Sequence, residues 1–239
     1  MEKRAVILAG GLGTRLRPYT VALPKPLVPV GDKPILEIIV RQLVSYGFTH
    51  LTFAVNHQAD IIRAYFGSGE KYRATIDYSL ERQPLSTMGP LRLIKDLPEN
   101  FLVMNGDVLT DLDFAEFFER HISENNLMTI SANSREQLVD FGVLEVNPAG
   151  KLTGFQEKPR TRFLVSMGIY AVNRAVLQYI PAEVPYGFDN LVNDLLEAKQ
   201  SVRVVPYGGY WLDIGRPDDY ELAVVDFSRS ENRFLKRSS

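Results

Sequence analysis

The stretch that most constrains this chain is Val6-Ile7-Leu8-Ala9-Gly10-Gly11-Leu12-Gly13-Thr14-Arg15-Leu16-Arg17-Pro18. An apolar β-type run, Ala5 to Leu8, empties into a glycine-rich loop with two arginines, and Pro24-Lys25-Pro26 follows. Glycine lets backbone N–H groups turn toward an anion with no side chain in the way. Arg15 and Lys25 add full positive charge. This pattern suits a cradle for a triphosphate. A dinucleotide fingerprint needs a third glycine opening a helix; Leu16 holds that place, and Pro18 and Pro24 disfavour an immediate helix. A P-loop closes on Gly-Lys-Ser/Thr, and no such triplet is present. The kinase glycine loop lies in a hairpin, whereas this one follows the first apolar run. The bland alternative is a plain strand-to-loop turn. Thr14-Arg15, Lys25 and the downstream features weigh against it.

Composition removes several function classes. The net charge of -2 argues against broad adhesion to nucleic acid or membrane, although local basic clusters can still hold phosphate. No cysteine is present, so a disulfide framework, a thiolate zinc site and a cysteine nucleophile are excluded. No apolar stretch is long enough to cross a bilayer. The short apolar run after Met1-Glu2-Lys3-Arg4 does not make a signal peptide. The expectation is a cytoplasmic protein, a single domain over residues 1–239 with its own core.

Strand and helix alternate through the first half. Asp32-Lys33-Pro34 reads as a helix start with Asp32 near the cap. Ile35, Leu36, Ile38, Ile39, Leu43 and Val44 make its apolar face, and Gly47 ends it. Leu51–Val55, Thr75–Ser79 and Phe101–Met104 read as strands; Ala59–Phe66, Gly89–Leu97 and the Phe114 to Ile122 stretch read as helices. That alternation predicts a parallel sheet covered on both faces. Ligands of such sheets sit beyond the C-terminal strand ends, where the glycine loop and Asp107 both fall. The pattern then changes. Leu127–Ala132 is a strand, and Phe141–Val146 and Lys151–Gln156 flank Asn147-Pro148-Ala149-Gly150 as a hairpin. Phe163–Val172 is a long strand, Arg174–Ile180 and Asn190–Lys199 are helices, and Val202–Pro206 and Tyr210–Leu212 precede a helix from Pro217. Residues from about Ser230 read as a frayed polar tail.

Asp107 and Asp213 each follow an apolar strand, and two carboxylates delivered by strand ends suit Mg²⁺ shared with substrate phosphates. The alternative for each is a turn cap. Gln156-Glu157-Lys158-Pro159 closes the hairpin region: Lys158 could hold a second phosphate and Glu157 could accept from sugar hydroxyls, against a plain solvated ion pair. Glu81 opens the loop Glu81 to Gly89. A carboxylate is an acceptor only, so Glu81 facing a base would suit guanine, whose pairing edge offers adjacent donors. Asp111-Leu112-Asp113 has the form of a glycosyltransferase metal site, but N-capping explains Asp113. His50, His57 and His121 have no metal spacing, and Phe114, Phe117 and Phe118 read as core.

Taken together these residues resemble the sugar-1-phosphate nucleotidylyltransferases, with matching pieces from Ala5 to about Ala223. The Gly10-Gly11-Leu12-Gly13-Thr14-Arg15-Leu16 loop with Pro24-Lys25-Pro26 is highly specific to that family. Glu157-Lys158-Pro159 and Trp211-Leu212-Asp213-Ile214-Gly215 recur in the expected order. Pro84-Leu85-Ser86-Thr87-Met88-Gly89-Pro90-Leu91 is most similar to the mannose-1-phosphate guanylyltransferase-like branch. The resemblance implies a single-domain Rossmann-like α/β fold of the nucleotide-diphospho-sugar transferase type, with a mixed, mostly parallel sheet. It implies transfer of a nucleoside monophosphate from a nucleoside triphosphate, GTP favoured, to a sugar 1-phosphate.

The same resemblance distributes roles. Leu8, Ala9, Gly10, Gly11, Gly13 and Thr14 line the nucleotide loop, while Glu81, Ser86 and Gly89 meet the base. Arg15 holds the β/γ-phosphates and Lys25 contacts the α-phosphate region. Asp107 and Asp213 hold Mg²⁺. Lys158 grips the sugar phosphate, and Gly142, Glu157 and Ser166 meet the sugar. Partners are the two substrates, with no nucleic acid and no membrane, in a monomer or small homo-oligomer. Three positions depart from the branch, which usually has glycine at Ser86, alanine at Met88 and asparagine at Ser166. Met88 is expected to narrow a pocket and Ser166 to leave room, giving a preference for a heptose or modified hexose over plain mannose. No hexapeptide repeat follows Asp226, so no C-terminal β-helix domain is expected. The rivals are a UTP- or dTTP-dependent enzyme of the same class, a glycosyltransferase using Asp111 and Asp113, and a non-catalytic nucleotide-sugar sensor.

Overall fold

A computed structural model describes residues 3–56 and 58–235 of the chain; His57 and the two chain ends lie outside the described residues. The elements in order are β1 (Lys3–Leu8), β2 (Pro29–Val30), β3 (Lys33–Pro34), α1 (Ile35–Ser45), β4 (Phe48–Val55), α2 (Ala59–Phe66), β5 (Thr75–Leu80), β6 (Asn100–Asn105) and β7 (Val108–Thr110). Then come α3 (Phe114–Ser123), β8 (Met128–Leu138), β9 (Val143–Val146), β10 (Leu152–Gln156), β11 (Arg160–Asn173), α4 (Phe188–Glu197), β12 (Val202–Tyr207), β13 (Trp211–Asp213), α5 (Pro217–Arg229) and α6 (Glu231–Phe234).

A seven-stranded sheet in the order β12-β8-β11-β6-β1-β4-β5 forms the centre. Neighbours run parallel except the two pairs that involve β11. The α/β reading from alternation therefore holds, with one reversed strand making the sheet mixed. Helices cover both faces because the middle of the sheet is apolar on both sides, as in β1, whose Ala5, Val6 and Ile7 are fully buried. Burial divides into two clusters. Ile7, Leu36, Ile39, Phe53 and Phe118 lie in one, and Val6, Met88, Phe101, Val103 and Leu191 in the other. The alternation of Val6 and Ile7 between them is the period of two of a strand with two buried faces.

Several local expectations change. Asp32 does not cap α1: the helix starts at Ile35 after Pro34, and Lys33–Pro34 pairs antiparallel with Pro29–Val30. The Asp32 carboxylate accepts from Lys33 Nζ at 2.7 Å instead. Gly89–Leu93 and Arg174–Tyr179 are 3₁₀ turns rather than α-helices. The tail after Ser230 is not frayed over the described residues. Glu231–Phe234 is helical, and Phe234 is buried against Tyr210 and Phe227. Apolar burial outweighs the polarity of its neighbours.

Past Asn133 the β8–β11 pair leaves the core. Its register continues from Asn133↔Val165 to Leu138↔Arg160, but the residues are exposed. The β9–β10 hairpin lies between them in sequence, with Gly150 at φ 77° in its turn. No helix among the described residues is long and apolar enough to cross a membrane.

Candidate active site

The central strands β6, β1, β4 and β5 are neighbours, and all point their C-terminal ends the same way. The residues just past those ends therefore converge, although they are far apart in sequence. Backbone hydrogen bonds extend the ladder past the strands: Gly106 N to Leu8 O at 3.0 Å, Ala9 N to Ala54 O at 2.8 Å and Glu81 N to Val55 O at 2.8 Å. Gly10, Asn56, Glu81 and Asp107 consequently line one open cavity of about 580 Å³, together with Gly11 and Ser86. This is the edge where ligands of such sheets bind.

Close approach explains Gly10. A Cβ there would lie 2.8 Å from Glu81 Oε1 and 3.6 Å from Asn56 Nδ2. Asn56 Nδ2 donates to the Gly10 carbonyl. Glu81 Oε2 accepts from Leu85 N at 3.2 Å, and burial pushes the Glu81 carboxyl above its usual value, opposed by that N–H. Gly13 is required for a different reason. Its φ of 63° is left-handed, and a Cβ would sit 2.9 Å from Thr20 Cγ2 and 3.1 Å from Lys25 Cβ. Thr20 Oγ1 donates to Gly13 O at 2.7 Å, folding the proline-rich loop back on the glycine loop.

The charged centre lies at the mouth of β6. Lys25 Nζ makes an ion pair with Asp107 Oδ2. β7 pairs with β13 so that Val108 faces Asp213, and Ile214 N donates to Asp107 O at 3.0 Å. Thus Asp213, at the end of β13, is brought beside Asp107, which immediately precedes β7. Burial pushes the Asp213 carboxyl up, Asp107 beside it pushes it further, and Lys25 and Arg15 oppose both. Arg15 is exposed, and its guanidinium flanks Gly215: a Cβ there would lie 3.8 Å from Arg15 Nη2 and 3.4 Å from Asp213 Oδ2. Asp107 Oδ1 is buried with no hydrogen-bond partner. A buried orphan oxygen beside a second carboxylate fits a hard cation. No cluster of three or more metal-ligating side chains occurs among the described residues. Such an ion would therefore need further oxygens from phosphate or water.

The expected site residues separate into two groups. Arg15, Lys25, Asp107 and Asp213 gather beside the cavity, whose wall includes Leu8, Gly10, Gly11, Glu81 and Ser86. Ala9 is buried in the strand-end ladder, Thr14 is exposed, and Gly89 N donates to Tyr186 O at the end of the Glu81 to Gly89 loop. Lys158, Glu157 and Gly142 are not on the cavity wall. They belong to the projecting arm, where Lys158 Nζ pairs with Asp140 at 2.9 Å and Gly142 lies against Phe155 and Glu157. Ser166 Oγ is engaged by Tyr170 OH at 3.1 Å and Gly168 N at 3.2 Å, at an irregularity in the β8–β11 register.

Met88 does not narrow the cavity. It is fully buried in the core with Leu91 and Tyr186, and its N–H donates to Tyr186 O at 2.9 Å. Two residues escaped sequence reasoning, Asn56 and Asn105, both on the cavity wall. Each ends or follows a parallel strand, so the strand-end rule that selected Asp107 would have selected them too. Asp111 and Asp113 have structural roles. Asp111 accepts from Tyr207 OH at 2.5 Å, Tyr210 N at 2.7 Å and Arg233 Nε at 2.5 Å; Asp113 caps α3 through Glu116 N at 2.9 Å.

Fold and cavity together define an α/β protein with an acidic pair and basic groups at the C-terminal edge of its sheet. The chain belongs to the nucleotidyl transferase family, whose model matches residues 4–229. It is 37% identical over 227 residues to a mannose-1-phosphate guanyltransferase of Yarrowia lipolytica, covering 91% of this chain and 62% of that protein. A UTP–glucose-1-phosphate uridylyltransferase of Synechocystis is 32% identical over 241 residues, with shares of 92% and 62%. The chain thus spans about three-fifths of the length of these curated relatives. Among solved structures it is similar to HddC from Yersinia pseudotuberculosis complexed with GMP-PN. The TM-score is 0.73 at 25% identity, over 94% of this chain and 99% of that one.

Proposed function

We propose that this protein transfers a nucleoside monophosphate from a nucleoside triphosphate to a sugar 1-phosphate and releases pyrophosphate. The observation that carries the reading is the convergence of Lys25, Arg15, Asp107 and Asp213 beside a cavity edged by the glycine loop. Two polyanions must meet, so their repulsion must be screened before reaction. An oxygen of the sugar phosphate attacks the α-phosphorus. The α–β bridging P–O bond breaks, and its electron pair leaves with pyrophosphate. The attacking phosphate is already ionised near neutral pH, so no general base is needed. Positioning and charge stabilisation supply the catalysis.

In this reading Gly10, Gly11 and Gly13 leave room for the triphosphate, Arg15 holds the leaving phosphates and Lys25 steadies the α-phosphate. Asp107 and Asp213 would hold Mg²⁺, which supplies positive charge to the phosphate oxygens. Glu81 and Ser86 face the base. A half-buried carboxylate acceptor at Glu81 favours guanine, and similarity to a guanyltransferase supports the same choice. Gly142, Glu157 and Lys158 belong to the sugar phosphate side, carried by the arm. Ser166 lies midway along β11, where the arm meets the core.

The test is a matrix of nucleoside triphosphates against sugar 1-phosphates, scored for pyrophosphate with Mg²⁺ present. The expected result is turnover with GTP and a mannose-, heptose- or modified-hexose 1-phosphate. No pyrophosphate from any pair, with nucleotide binding retained, would make the protein a sensor. Faster turnover with UTP or dTTP would overturn the base assignment.

A further inference from the structure

The loop from Thr14 to Pro34 carries Lys25 but has little regular structure. Its order consists of short 3₁₀ turns at Thr14–Leu16 and Lys25–Leu27 and the two-residue strands β2 and β3. The position of Lys25 therefore depends on what packs beneath the loop. Helix α1 packs on the Lys25–Leu27 turn, and a second support comes from helix α5, nearly two hundred residues later, which packs on β2.

Tyr220 touches both flanks of Lys25. Its ring lies 4.5 Å from that of Tyr19 before the lysine, and its hydroxyl donates to Pro29 O at 2.9 Å after it. Tyr220 also shares the wall of a small void with Lys25, Asp107 and Ile214, and that void has no room for a water molecule. Two turns further along the same face, the Phe227 ring packs on Gly31 so closely that a Cβ there would lie 3.0 Å away. The helix is itself fastened. Phe234 of α6 is buried against Phe227 and Tyr210, Arg233 pairs with Asp111, and Lys33 Nζ reaches Glu231 at 3.0 Å. The N-terminal end of α5 follows directly from Asp213-Ile214-Gly215, so one helix joins the Asp213 strand to the Lys25 loop.

We propose that Tyr220 is a positioning residue, bridging Tyr19 and Pro29 so that helix α5 holds Lys25 against Asp107. Asp111 and α6 are the anchor of that strap, which gives the Asp111 carboxylate a use outside metal chemistry. The inference rests on the proposed phosphate site, but its first test does not require turnover.

Lysine acylation followed by mass spectrometry reads the exposure of Lys25 directly, with exposed Lys151 as internal reference. In the unmodified protein Lys25 labels slowly. Tyr220→Ala raises its rate about fivefold and Tyr220→Phe, which keeps the ring and loses the hydroxyl, about twofold, as expected for local loosening. Tyr19→Ala behaves like Tyr220→Phe and keeps the test open should Tyr220→Ala fail to fold. Labelling of Lys25 unchanged relative to Lys151 in every folded variant would overturn the proposal. Where the substrate matrix finds activity, kcat falls about tenfold in Tyr220→Ala and about threefold in Tyr220→Phe, with the KM for sugar phosphate unmoved. A fall in KM-dependent terms alone, or equal loss in both variants, would also refute it. A protein that releases no pyrophosphate but shows the labelling pattern would sink the transferase reading and leave the strap intact.

Discussion

Replacing Asp213 by asparagine should stabilise the unliganded protein while abolishing activity. Asp213 is partly buried beside Asp107, and burial and that neighbour both push its carboxyl above the usual carboxylate value. A group whose pKa is raised on folding carries no penalty below its unfolded value. The penalty grows as pH rises through the folded pKa and is complete above it. At pH 7.5 the charged pair is therefore a cost of the folded state. Two like charges separated by roughly 6 Å repel by about 3 kcal/mol at an effective dielectric of about 20. Lys25 and Arg15 offset part of this, and solvent screens more, leaving about 1 kcal/mol. For a chain of this length that corresponds to a rise in Tm of about 2–4 °C in Asp213→Asn. The assay is thermal unfolding of both proteins at pH 7.5 and again at acid pH, where the raised Asp213 carboxyl is neutral and the difference should vanish. Adding Mg²⁺ at pH 7.5 should raise the wild-type Tm and close the gap, since the cation offsets the same repulsion. A variant that melts at or below the wild type at pH 7.5 would refute the claim that the two carboxylates oppose one another.

Lys25→Ala should lower kcat about 10²–10³-fold, the loss typical of one preorganised electrostatic donor, measured as pyrophosphate release; undiminished turnover removes Lys25 from the chemistry. Ser86→Gly should raise stability by up to about 1 kcal/mol, because the left-handed φ of 63° costs a side chain more than glycine loses in chain entropy; a chemical denaturation midpoint that falls would contradict this. Because burial raises the Glu81 carboxyl, nucleotide binding through its ionised form should strengthen as pH rises through that value and level off above it. Glu81→Gln should then weaken GTP more than UTP and flatten the profile; an unchanged GTP-to-UTP ratio of kcat/KM would remove Glu81 from base selection.

Periodicity made most of the architecture legible. β1, β4 and β6 each carry an apolar run, over residues 5–8, 53–55 and 101–104, and α2 coincides with its expected limits, Ala59–Phe66, because Gly67 at φ 58° ends it. The errors lie where a local signal met a tertiary competitor. Asp32 looks like a helix cap, but Lys33 claims its carboxylate and Lys33–Pro34 joins a small hairpin. Met88 looks like a pocket residue by its place in a motif, but it packs into the core and its N–H bonds to Tyr186 O, nearly a hundred residues away in sequence. The polar sequence after Ser230 hides Phe234, one aromatic with a buried socket waiting between Tyr210 and Phe227.

The site divides along the same line. Chemistry-bearing residues at strand ends could be recognised from the chain alone, because an apolar run that stops at glycine and aspartate has few other readings. Which of them meet could not. Lys25 and Asp107 are 82 positions apart and pair only because β1 lies beside β6. Asp213 joins them only because β13 crosses to β7. Local sequence sets how a segment folds, since backbone sterics and side-chain period act over a few residues. Strand order and helix docking are set by burial summed over the whole chain, and that is what gathered two carboxylates and two cations at one edge and left Lys158 on the arm.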